Sequence, residues 1–389
     1  MHATEAHIHA AADALKAEHA RCDEAGTLTA ETVRILRESR GMRLLQAEDS
    51  QGYALPVTAF ARWVRAVAQY NPSAGWVAGV VGVHPWEMAL VDRRLQDEVY
   101  GRDPDTWVAS PYAPSGLARA VDGGYVLNGE WQYSTGTDHC RWVVLGGLVP
   151  EADGTIANPP HYRHFFLPWG DYEIVPDSWQ VMGLSGTGSK NVRVREAFVP
   201  DYRTVAHFPL CEGAYGEVRA GLALYQQSFA CVFSAAIASA TLGIAQGALR
   251  EYRAYLKTRV SASQVVGKTD PFQQEALVEA EADLAAAIAH IDSMLIETDQ
   301  HIQAGGRVTQ AMRLEFRRNQ VRAVQRVLFA MDKLYARAGS AACWTTRPLE
   351  RYWRDLRTAG THICNTVEAV YPAWANFALE TGAPIMAFH

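Results

Sequence analysis

Residues 228–249 constrain the fold more than any other part of this chain. Ala, Val, Ile, Leu, Phe and Cys fill the stretch, and only Ser228, Ser234, Ser239, Thr241, Gly243, Gln246 and Gly247 interrupt it. A helix apolar on every side either spans a membrane or sits at the centre of a bundle. The small residues keep the hydrophobicity modest, and no second segment resembles it. The stretch is therefore read as the heart of a helical bundle, with no membrane partner.

The neighbouring sequence supplies the rest of that bundle. Helical spacing of apolar residues runs through 229–258, 271–304, 309–338 and 367–380. The first part of the chain has the same texture. Residues 11–19 and 29–40 are amphipathic, with Thr29 as helix cap and Gly41 as stop. Residues 57–70 form another such run, closed by Asn71-Pro72, and 74–90 is apolar enough to be internal. Between 108 and 205 the texture changes. Turn pairs (Asp122-Gly123, Asn128-Gly129, Asp153-Gly154, Trp169-Gly170) alternate with short β-rich runs such as Trp142–Leu145 and His164–Leu167, which predicts a small antiparallel β domain. The expected class is α+β. Its units are an N-terminal helical domain (1–107), a central β domain (108–205) and a C-terminal helical bundle (206–389).

Composition excludes several functions. The 389 residues are 49% hydrophobic and 20% charged, which suits a globular chain of two or three packed units. The net charge is -6 and no long Lys/Arg run occurs, so no nucleic-acid face is expected. Six scattered cysteines without a Cys-x-x-Cys pair suit reduced thiols. The first residues lack the pattern of a signal peptide, and a cytoplasmic location is expected. His7, His9, His161 and His164 are read as surface histidines, and no metal site is expected. Neither a Gly-x-Ser-x-Gly elbow nor an early Gly-x-Gly-x-x-Gly turn is present. The loop 183–189, Gly-Leu-Ser-Gly-Thr-Gly-Ser, is expected to join strands at 179–181 and 192–194. Its glycines either bring backbone N–H groups close to a planar ligand or simply form a tight turn.

Three segments stand in a telling order: Trp131–Gly136 (WQYSTG), the 183–189 loop, and Arg351–His362 (RYWRDLRTAGTH). With Gly75-Trp76-Val77, Val81–His84 and Ser110-Pro111-Tyr112, they resemble flavin-dependent monooxygenases built on the acyl-CoA dehydrogenase fold. The similarity is to the oxygenase components that hydroxylate 4-hydroxyphenylacetate and phenolic secosteroids, and to related indole oxygenases. It runs along nearly the whole chain. It implies a C-terminal four-helix bundle and a central domain that touches the flavin ring. It also implies hydroxylation of an aromatic small molecule, phenol- or indole-type, through a flavin C4a-hydroperoxide. An acyl-CoA dehydrogenase-like flavoenzyme or an amino-sugar N-oxygenase is the alternative on the same fold. Ile363 falls where one group of dehydrogenases carries its catalytic Glu, so the base for α-proton removal is missing there.

The resemblance also assigns residues. His362 is expected to handle the substrate proton as an imidazole near its ordinary pKa. Thr135 is expected to bring a hydroxyl to flavin N5. His84, Ser110 and Tyr112 would contact substrate. Tyr133, Ser134, Thr135, Thr187 and Ser189 would line the flavin, and Arg259 and Ser340 would receive its tail. Trp131 is read as core. The cofactor is expected to be reduced FAD from a separate reductase, with FMN possible because it too can use Arg259. Oxygen is the co-substrate, and a homotetramer is expected, with flavin sites at subunit boundaries.

Overall fold

The computed structural model describes residues 2–219, 221–261, 264–383 and 385. Helices α1 (Ala3–Ala10), α2 (Ala12–Ala25), α3 (Ala30–Ser39), α4 (Val57–Ala68), α5 (Pro72–Met88) and α6 (Arg93–Tyr100) come first. Eight strands follow: β1 (Val108–Ala109), β2 (Gly116–Val121), β3 (Gly124–Ser134), β4 (Trp142–Leu148), β5 (Tyr162–Pro168), β6 (Glu173–Ile174), β7 (Lys190–Pro200) and β8 (Thr204–Ala206). The chain then returns to helix: α7 (His207–Cys211), α8 (Phe229–Thr258), α9 (Pro271–Gln303), α10 (Gln310–Ala338), α11 (Pro348–Gly360) and α12 (Val367–Ala378).

Helix α8 is the hub, packed on α4 and α5 on one side and on α9, α10 and α11 on the other. Its residues from Phe229 to Ala245 are all buried, as a helix apolar all round requires. Where α8 crosses α4 the approach is close. A Cβ on Gly243 would lie 2.7 Å from the Arg65 carbonyl oxygen. Helix α5 is buried at every residue. Its start is fixed by the Asn71 side chain, which accepts the Ala74 N–H (3.0 Å), and by Pro72 in the first turn. Thr29 caps α3 by accepting the Thr32 N–H. Its C-terminus departs from expectation, because Arg40 (φ 55°), not Gly41, takes the left-handed position.

The sheet has the order β6-β7-β3-β2-β4-β5-β8, with β1 also on β4. Most pairings are antiparallel, but β1 and β2 both run parallel to β4. The reason lies in the sequence between them. Pro111 and Pro114 have no N–H to give a ladder. The strand running along β4 therefore breaks into β1 and β2, with β2 inside the sheet between β3 and β4, and residues 110–115 leave the sheet. That departure carries Ser110 and Tyr112 toward the helices. Residues 179–181 form no strand, contrary to expectation. Trp179 instead turns back and its Nε1–H donates to the Leu184 carbonyl (3.2 Å).

Candidate functional site

Three sites emerge from the residues upward. The first is a set of rings between α5, the 110–115 segment, the start of α8 and the turn after α11. His84 is fully buried. Its Nδ1 lies 2.7 Å from the Val108 carbonyl oxygen, so Nδ1 carries the proton. Its Nε2 is buried without a partner, a bare acceptor. Tyr112 packs 5.6 Å from the His84 ring, 5.0 Å from Phe229 and 5.3 Å from Phe233. Phe233 reaches His362 (6.1 Å), and Trp76 meets the same imidazole edge-on (5.5 Å). Ser110 is buried at the end of β1. These rings join into one continuous, largely buried apolar cluster carrying a few polar atoms, the residue character of a small-molecule site.

His362 begins the short 3-10 turn Ile363–Asn365, and its Nδ1 accepts the Cys364 N–H (3.1 Å). The neutral ring therefore keeps its proton on Nε2, where it is a donor. The turn is held from behind by a buried polar network. Asn365 donates to Thr241 Oγ1 (3.0 Å) and to the Ala359 carbonyl (2.9 Å), and accepts from Gln320 (3.0 Å). Arg317 donates to the Cys364 carbonyl (3.1 Å). Burial, with the positive charge of Arg317 adding to it, pushes the His362 pKa down to about 4. His84 is likewise lowered to about 4 by burial. The expectation of a His362 near its ordinary pKa is thus corrected, because an imidazolium there would be both desolvated and repelled.

The second site joins the end of β3 to the 183–189 loop. Thr135 Oγ1 is 2.9 Å from Ser189 Oγ, which is 2.8 Å from Thr187 Oγ1, which donates to the Leu184 carbonyl (2.7 Å). Leu184 and Gly188 are both left-handed. Two helices hold this loop in place. Asp355 of α11 accepts the Leu184 N–H (2.6 Å) on one oxygen and His19 Nε2 (2.8 Å) on the other. Asp23 of α2 accepts the Gly186 N–H (3.2 Å). A Cβ on Gly183 would sit 2.3 Å from the Arg354 carbonyl oxygen. In front of the loop Ser134 Oγ is buried without a partner. Tyr133 (φ 69°) is 64% exposed, with its ring edge-on to Trp179 at 6.0 Å. An orphaned hydroxyl beside exposed aromatic faces fits a flat, polar-edged ring such as a flavin.

The third site is an open cavity of about 380 Å³ at the end of α8. Tyr255, Thr258, Arg259, Ser261, Ser340 and Arg347 are among its lining residues. Among the described residues neither arginine is in an ion pair, and two cations beside hydroxyls fit a phosphate-bearing tail.

The expected residues therefore fall into these three sites, the third lying beside the start of α11, whose Asp355 holds the loop of the second. Trp131 is core, fully buried, with Nε1 donating to the Gly146 carbonyl (2.7 Å). His164 overturns its surface reading. It is fully buried on β5, with Nδ1 2.5 Å from Glu87 Oε1. Sequence reading missed Glu87, Phe229, Phe233 and Asn365, and quoted Trp76 and Asp355 only within motifs, without a role. Glu87 left one clue, a carboxylate one helical turn after His84 on an otherwise apolar helix.

Residues 235–366 match the family described as acyl-CoA dehydrogenase, C-terminal domain. The chain is 39% identical over 374 residues to a pigment production hydroxylase of Rhodococcus erythropolis, covering 94% of this chain and 93% of that one. It is 35% identical to the flavin-dependent monooxygenase oxygenase subunit HsaA of Rhodococcus jostii, covering 91% and 92%. Among solved structures, XiaF from Streptomyces sp., in complex with FADH2 and glycerol, superposes with a TM-score of 0.90 at 25% identity, over 99% of this chain and 96% of that one.

Proposed function

The chain belongs to the oxygenase subunits of flavin-dependent monooxygenases on the acyl-CoA dehydrogenase fold, and from that premise we propose how its three sites divide the work. It is the oxygenase component of a two-component system that hydroxylates an aromatic small molecule with reduced flavin, and a separate reductase is its partner. When bound, reduced flavin supplies the electrons that activate oxygen for transfer of one atom to the ring.

The substrate is a phenol- or indole-type ring held among Trp76, Tyr112, Phe229 and Phe233. His84 Nε2 accepts a hydrogen bond from its O–H or N–H, because that nitrogen is bare and its ring is fixed by Val108. His362 donates from Nε2 toward the oxygen being transferred. This reverses the simplest expectation for His362, and the observation that carries it is the opposite anchoring of the two imidazoles. His84 gives its Nδ1–H to a carbonyl, while His362 Nδ1 receives an N–H. Ser110 bounds the same pocket.

Tyr133, Ser134 and the Thr135–Ser189–Thr187 hydroxyls of the central β unit (108–205), which follows helical unit 1–107 and precedes helical unit 206–389 in the chain, would hold the flavin ring. Thr135 offers its hydroxyl to the ring edge, and the closely packed aromatics keep water away from the reacting atoms. Arg259 and Ser340 would hold the phosphate tail of a neighbouring subunit's flavin in a homotetramer. A two-arginine cavity favours FAD, whose dinucleotide tail is longer than that of FMN. The enzyme works in the cytoplasm.

The test mixes the purified chain with NADH, flavin, oxygen and a phenol. Nothing is expected until a flavin reductase is added, whereupon oxygen-dependent hydroxylation starts. Oxidation of NADH by the chain alone would overturn the division of labour.

A further inference from the structure

Behind the ring cage lies a second set of titratable groups that the reaction above does not use. The Tyr112 hydroxyl donates to Glu87 Oε2 (2.7 Å). Glu87 Oε1 is 2.5 Å from His164 Nδ1, and His164 Nε2 is 2.9 Å from His207 Nδ1. Glu87 and His164 are fully buried, whereas His207, at the start of α7, is 6% exposed. Four side chains from four separate elements are thus linked oxygen to nitrogen, from the substrate-facing Tyr112 to the protein edge. An apolar core gains nothing in stability from such a chain that hydrophobic residues of the same volume would not supply.

We propose that Tyr112, Glu87, His164 and His207 form a proton path that removes the hydroxyl proton of a phenolic substrate and returns it to the product. The proposal rests on the aromatic substrate argued above. Hydrogen bonding to His84 polarises that hydroxyl, but burial leaves His84 a poor resting place for the proton. Tyr112 is the neighbouring acceptor. In the forward pass the substrate hydroxyl swings its hydrogen from His84 Nε2 to Tyr112 Oη, the O–H bond breaks and the proton goes to Tyr112 Oη, while the Tyr112 proton goes to Glu87 Oε2. His164, paired as imidazolium with the Glu87 carboxylate, passes its Nε2 proton to His207 Nδ1. His207 releases its own Nε2 proton at the edge. The substrate is now a phenolate, a stronger carbon nucleophile. Glu87 is a neutral acid beside a neutral His164, one proton has left, and charge is conserved. After hydroxylation the reverse pass reprotonates the product and resets the chain.

The surroundings suit a conduit. Glu87 faces Tyr112 and His164, with His84 one turn back on its helix and Tyr162 and Cys211 near it. His207 faces His164, Cys211 (3.5 Å) and the stacked ring of Tyr162 (3.9 Å). Burial and the Glu87 charge hold the Tyr112 hydroxyl well above its usual range, so it passes protons without resting as an anion. Burial, with His164 adding to it, pushes His207 down to about 2, so an arriving proton does not stay there.

The experiment measures hydroxylation of phenol, resorcinol and 4-hydroxyphenylacetate by Glu87→Gln and the parent across pH, with an excess of external reductase. The amide keeps the shape but cannot take a proton. A loss of about a hundredfold is expected near neutral pH. The loss should shrink about tenfold per pH unit as pH approaches the phenol's own pKa of about 10, because the substrate then arrives deprotonated. Flavin affinity should match the parent, whereas the melting temperature should fall, because the variant removes one partner of a buried pair. His207→Ala should be slow and rescued by free imidazole in the buffer. Parental rates for Glu87→Gln overturn the path. So does a loss that raising the pH does not relieve, together with a His207→Ala defect that imidazole does not repair, because both then report packing alone. A parent that hydroxylates none of the three phenols overturns the phenolic substrate reading and the path together.

Discussion

His84 and His362 share a fate that neither position announces. Each is neutral in the fold because burial lowers its pKa from 6.5 to about 4. The unfolded chain therefore binds more protons than the folded one between these values. Stability contributed by the neutral rings is fully present above pH 6.5 and is lost as pH falls toward 4. The melting temperature should drop across that window, and His84→Gln should flatten the drop. An unchanged slope in the variant would show that other groups dominate it. Thr135 poses a different test. Thr135→Ala removes one hydroxyl from the Thr135–Ser189–Thr187 string, and oxygen consumption should then end as hydrogen peroxide while substrate affinity stays near the parental value. A variant that retains parental coupling would remove Thr135 from the oxygen chemistry.

At the scale of elements, the long helices were legible and the loops were not. The apolar periodicity through 229–258 and 309–338 announces α8 and α10 because helical periodicity is local. Partnerships across long separations leave no such trace. Asp355 was legible only as part of a motif, yet its carboxylate lies between His19, 336 residues away, and the Leu184 N–H. The same holds for Asn365, 124 residues from the Thr241 hydroxyl it binds. The loss of the strand at 179–181 depended on a Trp179–Leu184 contact that no pattern reveals. Asp355→Ala leaves a buried N–H and a buried imidazole without their acceptor, which costs on the order of 1–3 kcal/mol for each such group. The variant should melt earlier and bind reduced flavin more weakly, as read by calorimetry and fluorescence. Parental flavin affinity with only a lower melting point would confine Asp355 to the scaffold.

For the whole molecule, a single chain leaves two things unfinished. Tyr133, Ser134 and Thr135 are not among the residues that line the Arg259–Ser340 cavity, and large apolar side chains stand exposed on the bundle. Val278 is 65% exposed and Phe329 69%. Both features are accounted for if copies pack through α9 and α10 and each supplies the tail site of another's flavin. Sedimentation should give a tetramer at micromolar concentration, and Arg259→Glu should weaken flavin binding in it. A monomer that binds flavin at full strength would refute the shared site. The most direct test of the account as a whole is a single turnover. The chain, chemically reduced flavin and a phenol are mixed with oxygenated buffer, and hydroxylated product and hydrogen peroxide are both counted. The parent should give mostly product, and His362→Ala should oxidise the flavin as fast but form product about a hundredfold more slowly, with peroxide taking its place. Peroxide alone from the parent, or a parental product-to-peroxide ratio from His362→Ala, would contradict the account.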